Sequence, residues 1–227
     1  DGVDGMTAQA RKVLEAADVL LGPGVCRSLL PADLASRLDV AATLEELCEK
    51  IEAAGDRRLV VLASGDPLFY GTARYVCGRL GKDRFEVVPH VSSMQLAFAR
   101  VKESWEEAFL ANLSGQSIER VIDKIRSSDT VGLFTSEQWP PAAVAQALLD
   151  NGIDSFQAYV CENLGSPDER VTQGSLADIA SDTFGPLNVL ILVRKPQVTD
   201  TAGGGGTRLF GNPDECFLQS RPKRGLL

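Results

Sequence analysis

Two apolar runs constrain the fold more than any other feature. RLVVLA (58–63) and LNVLILV (187–193) are continuous, with no polar residue at every second position. A strand with one wet face alternates apolar and polar side chains. An uninterrupted run has both faces covered, as in a sheet that lies between helices. Further strands are expected at 18–21, 85–88, 109–113, 130–135 and 156–162. Segments with helical period separate them, at 7–17, 43–54, 67–80, 93–101, 117–125, 141–149 and near 176–180. Stop and start signals support several of these. Thr43 with Glu46 has capping-box spacing, Asp66-Pro67 suits a helix start, Ser92 and Ser93 suit another, and Gly55 and Gly81 suit helix ends.

Strands alternating with helices predict an α/β fold, each lobe a mostly parallel or mixed sheet flanked by helices. The polar stretch KESWEE (102–107), broken only by Trp105, predicts a division into lobes 1–104 and 105–195. After that, TDTAGGGG has no period and reads as a flexible linker, so 196–227 is expected to be linker and tail.

Composition narrows the function classes. The formal net charge is −8, which disfavours nucleic-acid binding, because that affinity rests on neutralising phosphates. No apolar run approaches the ~20 residues of a membrane span. No basic, apolar and small-residue succession opens the chain, so a cytoplasmic protein is expected. Five cysteines lie far apart without C-x-x-C spacing, which predicts free thiols and neither a disulfide framework nor a zinc site. His90 is the single histidine, and a half-buried, satisfied ring is the expected role. No metal site is expected.

The chemistry-bearing segments are strand-end loops. In VVLASGDPLFYG (60–71) a buried strand stops at Ser64-Gly65-Asp66-Pro67 and a helix is expected to follow. Ligands of open α/β sheets bind beyond the carboxyl ends of strands. Gly65 removes a side chain that would hold a ligand off the backbone, and a helix start offers free N–H groups. Taken alone, the loop reads equally well as a structural turn. VSSM (91–94), TSEQWPP (135–141) and ENLGSPDER (162–170) are further loops that can share an edge with it. None has the G-x-G-x-x-G or Walker pattern, so neither dinucleotide nor nucleoside triphosphate binding follows.

Together these segments resemble a known family. LASGDPLFYGTARYV, VVPHVSSMQLAFAR, YVCENLGSPDERVTQGSL and PLNVLILV are similar, in order and spacing, to blocks of the tetrapyrrole (corrin-ring) methylases. The nearest subgroup methylates C5 of a precorrin ring in cobalamin biosynthesis. The resemblance implies two α/β lobes, a homodimer, and S-adenosylmethionine in the cleft between the lobes. It implies cofactor contacts from Gly65, Asp66, Pro67, Ser92, Ser93, Phe134, Asn163, Leu164, Leu187, Asn188 and Val189, and a substrate contact from Arg100. Arg27 and Arg74 are further cations for an acidic substrate, each more readily read as a solvated residue. The tail LFGNPDECFLQSRPKRGLL resembles a linker to a second domain that methylates C15 and decarboxylates. The family opens with a strand and a Gly-rich turn, of which only Asp1-Gly2 is expected here before Gly5. Methyl transfer from a sulfonium is an in-line displacement that needs alignment more than a metal, and no general base is identified. The alternatives are a non-catalytic tetrapyrrole carrier and a methylase for another ring position.

Overall fold

The structure is a computed structural model that describes residues 5–196. The tail, the glycine run at 203–206, Cys216 and Asp1-Gly2 lie outside those residues. Helix α1 (Ala8–Glu15) starts where Thr7 accepts the Ala10 N–H. Strand β1 (Val19–Gly22), helix α2 (Ala32–Arg37), strand β2 (Leu38–Val40), helix α3 (Leu44–Ala53) and strand β3 (Leu59–Val61) follow. The three strands form a parallel sheet in the order β2-β1-β3. Leu20 and Leu21 of β1 point to opposite faces. Leu20 packs with Leu14 of α1 and Leu34 of α2, and Leu21 packs with Leu47 and Ile51 of α3. Both faces of this sheet are thus covered, but β3, the strand formed by the continuous run 58–63, lies at its edge and its three residues are only partly buried.

Three sequence expectations change here. Glu46 does not close a capping box with Thr43; its carboxylate accepts the N–H of Ala42, while Thr43 still accepts the Glu46 N–H. Helix α4 spans Thr72–Leu80 instead of starting at Pro67, because Tyr70 adopts a left-handed φ of 55° and interrupts the helical path. The 85–88 segment is extended at Phe85 but joins no sheet. A strand exists only as part of a ladder, and among the described residues β3 has no neighbour on its outer side.

Helix α5 (Ser93–Val101) occupies the residues expected of it. Ser92 and Gln95 form a reciprocal capping box there. Strands β4 (Phe109–Asn112) and β5 (Thr130–Phe134), helices α6 (Ile122–Ser127) and α7 (Pro141–Asp150), strands β6 (Phe156–Glu162) and β7 (Arg170–Ser175), helix α8 (Leu176–Ala180) and strand β8 (Asn188–Arg194) complete the chain. The second sheet is mixed, in the order β4-β5-β8-β6-β7. In β8, Leu190 and Leu192 face α6, α7 and α8, while Val189 and Ile191 face α5. Helix α5 comes close because residue 132 is glycine; a Cβ there would lie 2.6 Å from Met94 Sδ.

Strand β7 was not expected from the sequence. RVTQGS has no apolar alternation, because β7 is a largely exposed edge strand. The four described cysteines are unpaired. Among the described residues no helix is long and apolar enough to cross a membrane.

Candidate active site

Strand direction gathers the loops. Strands β4 and β5 run parallel, and β8 runs antiparallel to both β5 and β6. The carboxyl ends of β4, β5 and β6 and the start of β8 therefore share one edge. Asn112 pairs with Phe134, Phe134 with Val189, and Glu162 with Asn188 across it.

The loop after β3 docks onto this edge. Phe69 packs on the cluster formed by α5 and the second sheet, together with Phe134 and Leu164. The rings of Phe69 and Phe134 meet edge-on at 5.7 Å, and Tyr70 meets Phe134 at 5.9 Å. The Tyr70 hydroxyl donates to the Leu110 carbonyl of β4 at 3.1 Å. Gly65 lies at φ 66°, a region that favours glycine. A Cβ on it would stand 3.5 Å from Ser92 Cα. The SGDP and VSS loops, read separately in the sequence, are in contact.

Each expected residue has a definite local role. Asp66 is no helix cap. Its Oδ1 accepts the N–H groups of Leu68 at 2.8 Å and Phe69 at 3.2 Å, and this turn holds the loop. The Pro67 carbonyl accepts the Ala73 N–H at the start of α4. Ser92 is buried, and its hydroxyl serves the capping box. Ser93 opens α5 beside Gly65. Asn163 takes a left-handed φ of 50°, donates its backbone N–H to Leu187 O, and bonds Asp168 through its side chain at 2.8 Å. Asn188 accepts from Thr135 and donates to the Gly185 carbonyl. Val189 is core, and Leu187 is largely exposed.

Arg100 makes a two-pronged ion pair with Glu169, which also accepts the Gly165 N–H at 2.8 Å. This ties α5 to the 163–169 loop. The Arg100 guanidinium and the Gly165 N–H hold the Glu169 carboxyl below its ordinary range. Burial pushes the Cys161 thiol beneath this pair up to about 12, so it carries no thiolate at neutral pH. Arg27 donates to the Leu38 carbonyl in the first sheet. His90 has both ring nitrogens near carbonyl oxygens, those of Gly5 and Val91.

The 64–71 loop contributes to two cavities. One, of about 450 Å³, is lined by Asp66, Pro89, His90, Val91, Gln95 and Leu96. The other, of about 590 Å³, lies along α4 and reaches Asn112 at the end of β4. Both volumes fall within the roughly 300–1,000 Å³ of small-molecule sites.

Residues 1–180 match the profile of the tetrapyrrole (corrin/porphyrin) methylases. The chain belongs to this family. It is 29% identical over 193 residues to a precorrin-6Y C(5,15)-methyltransferase [decarboxylating] from Sinorhizobium sp; the match covers 83% of this chain and 46% of that one. The chain thus spans about half the length of that relative. It is 29% identical over 194 residues to a probable cobalt-precorrin-7 C(5)-methyltransferase from Methanocaldococcus jannaschii, covering 82% of this chain and 90% of the relative. Among solved structures, a cobalt precorrin-4 methyltransferase superposes with a TM-score of 0.68 at 20% identity, over 85% of this chain and 90% of that one. At that identity the likeness speaks to the fold alone.

The sequence carries little signal for the residues that join the loops. Phe69 and Tyr70 sit inside the SGDPLFYG block, but aromatic residues in a loop carry no periodic signal. The buried Glu162, bonded to Arg170 and to the Gly185 N–H, fastens the ends of β6, β7 and the loop before β8. Its only sequence trace is a charged residue closing an apolar strand.

Proposed function

We propose that this chain transfers a methyl group from S-adenosylmethionine to C5 of a precorrin-type macrocycle in cobalamin biosynthesis. The observation that carries the reading is the convergence of the SGDP, VSS and ENLG loops on one sheet edge. Relatives named for C5 methylation along most of their length support the ring position.

The residues present fit the cofactor. Asp66 turns one carboxylate oxygen to its own loop and leaves the other for a hydroxyl or ammonium donor in the cavity it lines. Gly65 keeps side-chain bulk away from the adjoining Ser92 backbone. In this reading Gly65, Asp66, Pro67, Ser92 and Ser93 form one wall. Phe134, Asn163, Leu164, Leu187, Asn188 and Val189 form the facing one. The cofactor supplies an electrophilic methyl group on a sulfonium sulfur. The chain aligns and dehydrates the site, and orientation alone lowers such a barrier by up to ~7–11 kcal/mol. A substrate carboxylate reaching Arg100 has to displace Glu169, so Arg100 acts first as the tether of the ENLG loop. The reading extends to a cytoplasmic homodimer, with a C15-methylating, decarboxylating domain as partner in a longer fusion.

Calorimetric titration with S-adenosylhomocysteine is expected to give one saturable site per chain. Incubation with S-adenosylmethionine and a precorrin substrate should then give a singly methylated product, with the new carbon placed at C5 by NMR. Tetrapyrrole binding without transfer would instead mark a carrier domain. Transfer to another carbon would reassign the ring position.

A further inference from the structure

Among the described residues Glu162 is the one charged side chain that is buried, at 3% exposure. Taking a carboxylate out of water is costly unless donors replace that water. Here they do. Oε1 accepts the Gly185 N–H at 2.7 Å, and Oε2 accepts the Arg170 Nε–H at 2.7 Å. The Arg170 Nη2 lies 2.7 Å from the same oxygen. The partners come from three segments: Glu162 closes β6, Arg170 opens β7 opposite it, and Gly185 lies in the loop before β8.

A buried ion pair is weak evidence for stability, because an apolar core often does as well. What this one fixes is a stretch of backbone. Phe184 packs on the core of the second sheet, and Val189 is buried. Between them apolar anchorage is slight, and Leu187 is 73% exposed. Polar ties hold the stretch instead. Gly185 is held from both sides, its N–H by Glu162 and its carbonyl by the Asn188 amide at 2.6 Å. The Leu187 carbonyl accepts the Asn163 N–H at 2.9 Å, and Asn188 accepts the Thr135 hydroxyl at 2.7 Å. A Cβ at residue 185 would stand 3.4 Å from Glu162 Oε1, so glycine lets the carboxylate come close.

We infer that Glu162 is a positioning residue for methyl transfer, setting through Gly185 the backbone of Leu187 and Asn188 in the proposed cofactor wall. The inference rests on the methyltransferase reading for the identity of the ligand. Glu162 presents almost no surface to a ligand and acts from behind the wall. Its chemistry suits the post. A carboxylate accepts on both oxygens at once and offers no donor to oppose the Gly185 N–H or the guanidinium. Orientation is what the reaction asks of the protein, and an exposed leucine supplies it only where its backbone is held.

The test uses the full chain, with S-adenosylhomocysteine affinity read by calorimetry, stability by urea unfolding, and the 183–188 amides by hydrogen exchange. Glu162→Ala frees the Gly185 N–H. It is expected to weaken binding by about tenfold, the equivalent of one net hydrogen bond, and to speed exchange in 183–188. Glu162→Asp, one methylene short of Gly185, carries the same expectation should the alanine variant fail to fold. Glu162→Gln should recover most of the affinity, since its amide oxygen can accept the Gly185 N–H while the Arg170 side chain, 60% exposed, turns to water. Ile125→Val trims the buried core beneath α6 and should lower stability with affinity unchanged. Wild-type affinity in Glu162→Ala and Glu162→Asp would overturn the inference. So would an equal loss in Ile125→Val, because affinity would then follow stability alone. A wild type that binds no S-adenosylhomocysteine would overturn the methyltransferase reading and this inference with it, and the wild-type titration tells the two failures apart.

Discussion

Asp66 concentrates the residue-scale question. A carboxylate beside a proposed cofactor cavity invites a direct-contact role, yet its Oδ1 is already shared between the N–H groups of Leu68 and Phe69. Two substitutions separate positioning from charge. Asn keeps an acceptor in the Oδ1 position, and Ala removes it. Asp66→Ala is expected to cost about 1–3 kcal/mol of stability through two lost turn bonds and to weaken S-adenosylhomocysteine binding at least tenfold. Asp66→Asn should hold the fold near wild type. Whatever binding it loses then measures the free oxygen and the charge, read by urea unfolding alongside calorimetry. Equal stability and affinity in all three proteins would remove Asp66 from the site.

At the scale of elements, the seating of α5 on β5 decides where the VSS loop stands. The contact passes over Gly132, where a Cβ would sit 2.6 Å from Met94 Sδ, 2.8 Å from Leu110 Cδ2 and 3.0 Å from Phe98 Cε2. Met94 is flexible enough to yield part of that, but the Phe98 ring and Leu110 are packed on the same cluster. Gly132→Ala is expected to destabilise by about 1–3 kcal/mol. It should lower the melting temperature by roughly 2–4 °C per kcal/mol in a domain of this size. An unchanged melting temperature would mean that α5 is seated more loosely than this packing requires. The same elements tell what the sequence could disclose. Helix α5 was legible to the residue because Ser92 writes a cap into the chain, and β8 was legible because burial on both faces leaves the apolar run VLILV (189–193). Strand β7 was not, since an exposed edge strand has no hydrophobic pattern to show. The 85–88 segment read as a strand because propensity is local, whereas a ladder needs a neighbour. The site divides in the same way. Gly65 and Asp66 announce a special backbone, but Phe69 and Tyr70 acquire meaning only when β4 and β5 are brought against them.

For the whole molecule, acid is the informative perturbation. The chain carries 31 carboxylate side chains against 23 lysines and arginines. The carboxyls with a resolved shift all move the same way. Asp18, Glu45, Glu46, Glu119, Glu169 and Asp178 are held below their ordinary values by hydrogen bonds and cations. A group whose folded value lies below its unfolded value contributes stability above the unfolded value and loses it as pH falls through the folded one. Five of the six are surface groups that each contribute little. Glu169 differs, because its side chain is 20% exposed and its two oxygens hold Arg100 and the Gly165 N–H. Losing that charge frees the 163–169 loop from α5, and with it one proposed wall of the cofactor site. Stability is therefore expected to be flat from neutral pH to about pH 5 and to fall below the ordinary Glu value near 4.3. Glu169→Gln should be less stable than wild type at pH 7, and the two urea midpoints should converge as the wild-type carboxylate becomes protonated. A gap between the two that stays constant from pH 7 to pH 3 would show that Glu169 acts through its shape and not its charge. The Arg100 tether would then be a packing contact only, and acid would leave the ENLG loop in place.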